Sequence, residues 1–92
     1  MTQIYLFVMN TCGPCHRVMI QLRRVPGWEK YIQVVYIAHN QNIALKSKYN
    51  VIGTPTLVAE LPDGTIHKFT KAQDMTKGFF IKLFKKLDSE LK

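Results

Sequence analysis

The residues of this chain best suited to chemistry stand together. Its only two cysteines, Cys12 and Cys15, are separated by two residues in Thr11-Cys12-Gly13-Pro14-Cys15-His16. Such a pair can cycle between dithiol and disulfide, or it can supply half the ligands of a zinc ion. Zinc would need two further ligands, drawn from His16, His39, His67 and carboxylates, and those histidines have no ligand-pair spacing. A purely structural disulfide would close so short a loop that it adds little, least of all where thiols are held reduced. The pair therefore reads as a redox site with no metal. His16 could tune the thiols electrostatically or simply face solvent from a helix.

The elements around the pair suit that reading. The apolar run Gln3 to Met9 is too short for a helix with its own period and reads as a buried central strand. Thr11 is an apt residue ahead of a helix, and Pro14 suits its first turn, where the missing N–H costs nothing. From Cys15 onward, Cys15, Val18, Met19 and Leu22 share one helical face, and Pro26-Gly27 stops it. Cys12 thus falls at a helix N-terminus, where free N–H groups and the helix dipole favour the thiolate, the form that attacks disulfides. Cys15 falls about one turn inside.

Further along, Tyr31 to Ala38 reads as a second buried strand, and Asn40 or Asn42 is placed to cap a short helix from Ile43 to Tyr49. Val51-Ile52-Gly53-Thr54-Pro55 is a loop ahead of a third strand, Thr56 to Glu60. Leu61-Pro62-Asp63-Gly64 is a hairpin turn leading to a fourth, Thr65 to Phe69. A final helix is expected from about Met75 to Leu91, with Phe80, Leu83, Phe84, Leu87 and Leu91 as its buried stripe. The order β-α-β-α-β-β-α predicts a parallel, right-handed first unit and an antiparallel hairpin. Together they make a four-stranded mixed sheet flanked by helices on both faces, an α/β fold.

Composition sets the outer limits. Ninety-two residues, 47% of them hydrophobic, make one domain spanning 1–92 with a modest core. No apolar run approaches the roughly 18 residues that would span a bilayer. The start Met1-Thr2-Gln3-Ile4 lacks the marks of a signal peptide, so a cytoplasmic location is expected. Thirteen Lys and Arg against six Asp and Glu give a net charge of +7, partly clustered in Arg17, Arg23 and Arg24 and in Lys82, Lys85, Lys86 and Lys92. No nucleic-acid motif accompanies that charge, so nucleic acid is not the expected partner, whereas an acidic protein is compatible with it.

The element order, Cys12-Gly13-Pro14-Cys15 at the first strand–helix turn, and Tyr49-Asn50-Val51-Ile52-Gly53-Thr54-Pro55-Thr56 before the third strand together resemble the thioredoxin superfamily over residues 3 to 91. The resemblance implies a thioredoxin-like fold without the N-terminal β-α extension. It also implies a cis Pro55 beside the cysteines, with Thr54 and Pro55 binding a substrate chain as an added strand. Cys12 and Cys15 would be the catalytic pair, Gly13 and Pro14 the tight turn between them, and no cofactor would be bound.

The chain also departs from that pattern. Thr11 stands where a tryptophan usually precedes the first cysteine. Leu6 and Tyr36 stand at or near the places of the buried aspartate and its lysine neighbour, so Thr11, His16 and Tyr36 are the candidate modulators. The Gly-Gly pair of many glutaredoxins is replaced by Lys71-Ala72-Gln73-Asp74. The implied activity is a monomeric reductant of protein disulfides, with thioredoxin reductase or glutathione as electron donor and, by resemblance to compact viral and prokaryotic redoxins, a ribonucleotide reductase among its clients. A glutaredoxin-like, glutathione-dependent reductant is the alternative within the superfamily. A non-catalytic module that docks partners through its basic surface is the alternative outside enzymes.

Overall fold

A computed structural model describes residues 2–90. The first strand, β1 (Gln3–Val8), is central. It pairs in parallel with β2 (Gln33–Tyr36) on one side and antiparallel with β3 (Thr56–Glu60) on the other. β3 pairs antiparallel with the last strand, β4 (Ile66–Phe69), and the sheet order is β2-β1-β3-β4. Alternation along β1 sorts its side chains between two layers. Ile4, Leu6 and Val8 pack with helices α1 (Gly13–Arg23) and α3 (Lys77–Glu90), through Val18, Leu22, Phe80 and Phe84. Phe7 faces the opposite layer with Val35, Val58, Tyr49 and Val51, beside the short helix α2 (Ile43–Lys48). Leu6 and Phe7 are both fully buried, as a strand covered on two faces requires.

β2 is an edge strand and shorter than its apolar run predicts. Residues 28–30 form a 3-10 turn, after which Tyr31 and Ile32 donate their N–H groups to the Trp28 carbonyl at 3.0 and 3.1 Å. Tyr31 then serves α3: its ring stacks on Phe84 with centroids 4.4 Å apart, and its hydroxyl donates to the Asp88 carboxylate at 2.8 Å. Ile37 N–H still reaches the Val8 carbonyl at 3.1 Å; the chain then turns, and His39 N–H bonds back to the Tyr36 carbonyl at 3.2 Å. Neither Asn40 nor Asn42 caps α2 with its side chain. Asn42 Nδ2 donates instead to the Tyr36 carbonyl at 2.8 Å, tying the end of β2 to the helix start. Asn50, at φ 52, ends that helix in the left-handed region, and Val51 N–H reaches back to the Lys46 carbonyl.

The hairpin turn forms as its Asp-Gly predicts. Gly64 takes φ 90, where a side chain would be strained, and Asp63 Oδ1 accepts the Thr65 N–H at 2.8 Å. The final helix starts two residues later than expected, at Lys77, because Thr76 caps it by accepting the Phe79 N–H at 3.2 Å. Met75 is left outside the helix and buried against α1, while Leu91, the last member of the expected stripe, lies outside the described residues. No helix among the described residues is long and apolar enough to cross a membrane.

Candidate functional site

The end of β1 delivers the chain into the turn that begins α1, and the cap of that helix is Cys12 rather than Thr11. Cys12 has extended backbone angles, and its Sγ accepts the Cys15 N–H at 3.1 Å, the task a Ser or Asp oxygen usually performs at this position. Gly13 and Pro14 fill the first two helical positions, where Pro14 has no partner to lose. Cys12 and Cys15 are joined as a disulfide with Cα atoms 5.2 Å apart. Their exposure differs sharply. Cys15 is 2% exposed and packed in the core, whereas Cys12 is only partly covered.

The loop before β3 closes over this pair. The Thr54–Pro55 peptide is cis, Pro55 is buried, and the Thr54 carbonyl oxygen lies 3.7 Å from Cys12 Sγ. Thr56, the next residue, is held by its hydroxyl donating to the Gly53 carbonyl at 2.7 Å, which fixes the loop around the proline. Cys12 Sγ is therefore met by a backbone donor from its own helix and a backbone acceptor from a loop 42 residues away. When the disulfide opens, the donor suits a thiolate and the acceptor suits a thiol.

The candidate modulators are placed unevenly. Thr11 is exposed. His16 is exposed too, with Nε2 3.3 Å from the Asn10 carbonyl oxygen, and it makes no hydrogen bond to either sulfur. Tyr36 is half-buried, stacks on His39 with centroids 5.5 Å apart, and shares with Cys15 and His16 a hollow of about 90 Å³. Leu6 is fully buried among Ile4, Val8 and the α1 side chains, so the ground behind Cys15 is apolar. No group of three or more His, Cys, Asp or Glu converges among the described residues.

A broad groove of about 720 Å³ runs from Pro14 past Thr54 and Pro55 to the segment 70–76. Its walls include Arg17, Ile20 and Lys71, which the residue pattern did not single out as site residues. Arg17 was legible in principle, being three residues from Pro14 and so on the same helical face. Lys71 reaches the site only because the chain crosses back after β4, and no local signal announces that.

No family model matches the chain, and no curated protein matches it in sequence. Solved structures do match it in shape. A thioredoxin from Thermus thermophilus superimposes with TM-score 0.64 at 19% identity, covering 94% of this chain and 72% of its own. A thioredoxin-2 described as a component of malaria parasite protein secretion machinery gives 0.71 at 19% identity, over 92% and 82%. A disulphide isomerase from Xylella fastidiosa Temecula1 gives 0.60 at 23% identity, over 95% and 78%. The likeness is one of fold.

Proposed function

We propose that this chain, which has the thioredoxin fold and carries its cysteine pair at the cap of the first helix, is a thiol–disulfide oxidoreductase that reduces protein disulfides. The observation that carries the reading is the asymmetry of the pair: a partly exposed, capping Cys12 next to a cis-proline loop, and a buried Cys15 within disulfide reach. In the reduced protein Cys12 attacks one sulfur of a substrate disulfide. The new Cys12–substrate bond forms as the substrate S–S bond breaks, and the leaving sulfur takes a proton. Cys15 then loses its own proton and attacks Cys12 Sγ, expelling the second substrate sulfur, which is protonated in turn. Two electrons and two protons have passed to the substrate, and the Cys12–Cys15 disulfide seen here is the product state of the protein. Thr54 and Pro55 form the shelf along which the substrate chain lies, with Pro55 contributing no competing N–H. The cycle uses no bound cofactor; a thiol donor restores the dithiol.

Thioredoxin reductase is the proposed donor, on the strength of Cys-Gly-Pro-Cys between strand and helix, and a ribonucleotide reductase is a proposed client. The glutathione-dependent alternative is favoured by one observation, the apolar Leu6 behind Cys15. A donor-swap assay separates the two, with Cys12→Ser as the blank. Disulfide reduction is followed with NADPH and thioredoxin reductase, then with NADPH, glutathione and glutathione reductase. Turnover with thioredoxin reductase alone is the expected result. Turnover with glutathione alone would make the protein glutaredoxin-like, and activity equal to the blank in both arms would remove catalysis in favour of a binding module.

A further inference from the structure

Three features meet in the groove beside the cysteine pair. It adjoins the reacting sulfurs, since Pro14 lies between the cysteines and the Thr54 carbonyl touches Cys12 Sγ. It offers an apolar foothold in Ile20, which is 51% exposed on a helix whose other branched side chains are buried. Its charge has one sign: Arg17 projects from α1 and Lys71 from the crossing after β4, with no carboxylate on the lining. The Asp74 carboxylate lines the adjoining hollow, which Lys68 and Lys71 also line, and it is not on the groove wall. Both groove cations are exposed, and the salt bridge among the described residues is Lys48–Glu60, so neither Arg17 nor Lys71 is held in an ion pair there.

We propose that this groove selects protein disulfides whose flanking residues are Asp or Glu. The inference rests on the oxidoreductase reading above and names the substrate class of that same site. A chain laid along Thr54–Pro55 with its disulfide at Cys12 extends over the groove. There carboxylates meet Arg17 and Lys71 while an apolar neighbour covers Ile20. Basic flanks would face the two cations instead. This is charge complementarity acting on the encounter, so it appears in the bimolecular rate constant and weakens with salt.

The test uses the pre-reduced protein itself as the reductant, so no donor enters. Three peptides share one intramolecular disulfide loop and differ only in carrying two Asp, two Asn or two Lys beside it. Each is mixed with the reduced protein, and the two electrons and two protons passed from Cys12 and Cys15 to the peptide disulfide are followed by acid quench and mass spectrometry. The Asp peptide is expected to react about tenfold faster than the Lys peptide at low salt, with the ratio collapsing toward parity near 0.5 M salt. The variant Arg17→Glu/Lys71→Glu is expected to invert the ratio. Lys82→Glu/Lys85→Glu, which makes the same change in net charge on an exposed stretch of α3 away from the groove, is expected to keep it. Equal rates for the Asp and Lys peptides would overturn the selectivity, as would an equal loss of preference in the α3 variant, which would assign it to overall charge. Failure to reduce even the Asn peptide faster than Cys12→Ser does would overturn the oxidoreductase reading with it.

Discussion

Two sulfurs three positions apart in one turn have different fates because one caps the helix and the other is inside it. Cys12 accepts the Cys15 N–H and stays partly open to solvent, while Cys15 is 2% exposed. In the reduced protein at neutral pH, iodoacetamide should therefore modify Cys12 at least about tenfold faster than Cys15. Peptide mapping after a short pulse reads this directly, and equal labelling would refute it. A second residue-scale prediction concerns Tyr49, which is 1% exposed and whose hydroxyl donates to Glu60 Oε1 at 2.5 Å. Burial, and then that hydrogen bond, push its ionisation well above the ordinary value of 10.0. The folded chain holds this proton to higher pH than the unfolded chain does. The associated stability is complete below about pH 10 and is lost as pH rises from there toward the folded value. Tyr49→Phe should cost about 1–2 kcal/mol at pH 7. It should also flatten the alkaline fall in urea stability between pH 9 and 11, and an unchanged slope would contradict the assignment.

At the scale of elements, caps decide where helices begin. Thr76 accepts the Phe79 N–H and starts α3 at Lys77, so Thr76→Ala should destabilise by about 1 kcal/mol with no change in the denaturant slope. The caps also mark what could be read from the residues. Apolar runs and the Asp-Gly turn were enough to locate all four strands and three helices in order, because each depends on neighbours within a few positions. What escaped was set by particular side-chain partners, near or far. Tyr31 carries strand-like neighbours yet is drawn to Phe84 and Asp88 on α3, which shortens β2. Asn42 looks like a cap and spends its amide on Tyr36. Cys12 falls at the helix N-terminus as its spacing predicts, and what the pattern did not show is that its sulfur also caps the helix by accepting the Cys15 N–H.

For the whole molecule, one buried layer carries the site. Cys15, Val18 and Leu22 of α1 and Phe80 and Phe84 of α3 belong to one packed layer on the same face of β1 and β3, so the position of the cysteines depends on α3. Phe80 is fully buried against Phe79 and Phe84. Phe80→Ala should cost about 3–5 kcal/mol, a large share of the roughly 5–15 kcal/mol typical of such domains, and would show as a lower urea midpoint. The redox pair was evident from two cysteines and a Thr-Pro. The groove beside it was not, because it is assembled from α1, the loop at Thr54 and the crossing at Lys71, which only the closed fold brings together.

Trapping the half-reaction tests the role of Cys12 most directly. Cys15→Ser, reduced and exposed to a peptide disulfide, retains the attacking sulfur and lacks the resolving one. A stable one-to-one mixed disulfide located on Cys12 by mass spectrometry is expected, with no such adduct surviving in the unaltered protein. If Cys15→Ser forms no adduct, or if Cys12→Ser accumulates one on Cys15 at the same rate, then Cys12 is not the nucleophile and the oxidoreductase reading of this site is wrong.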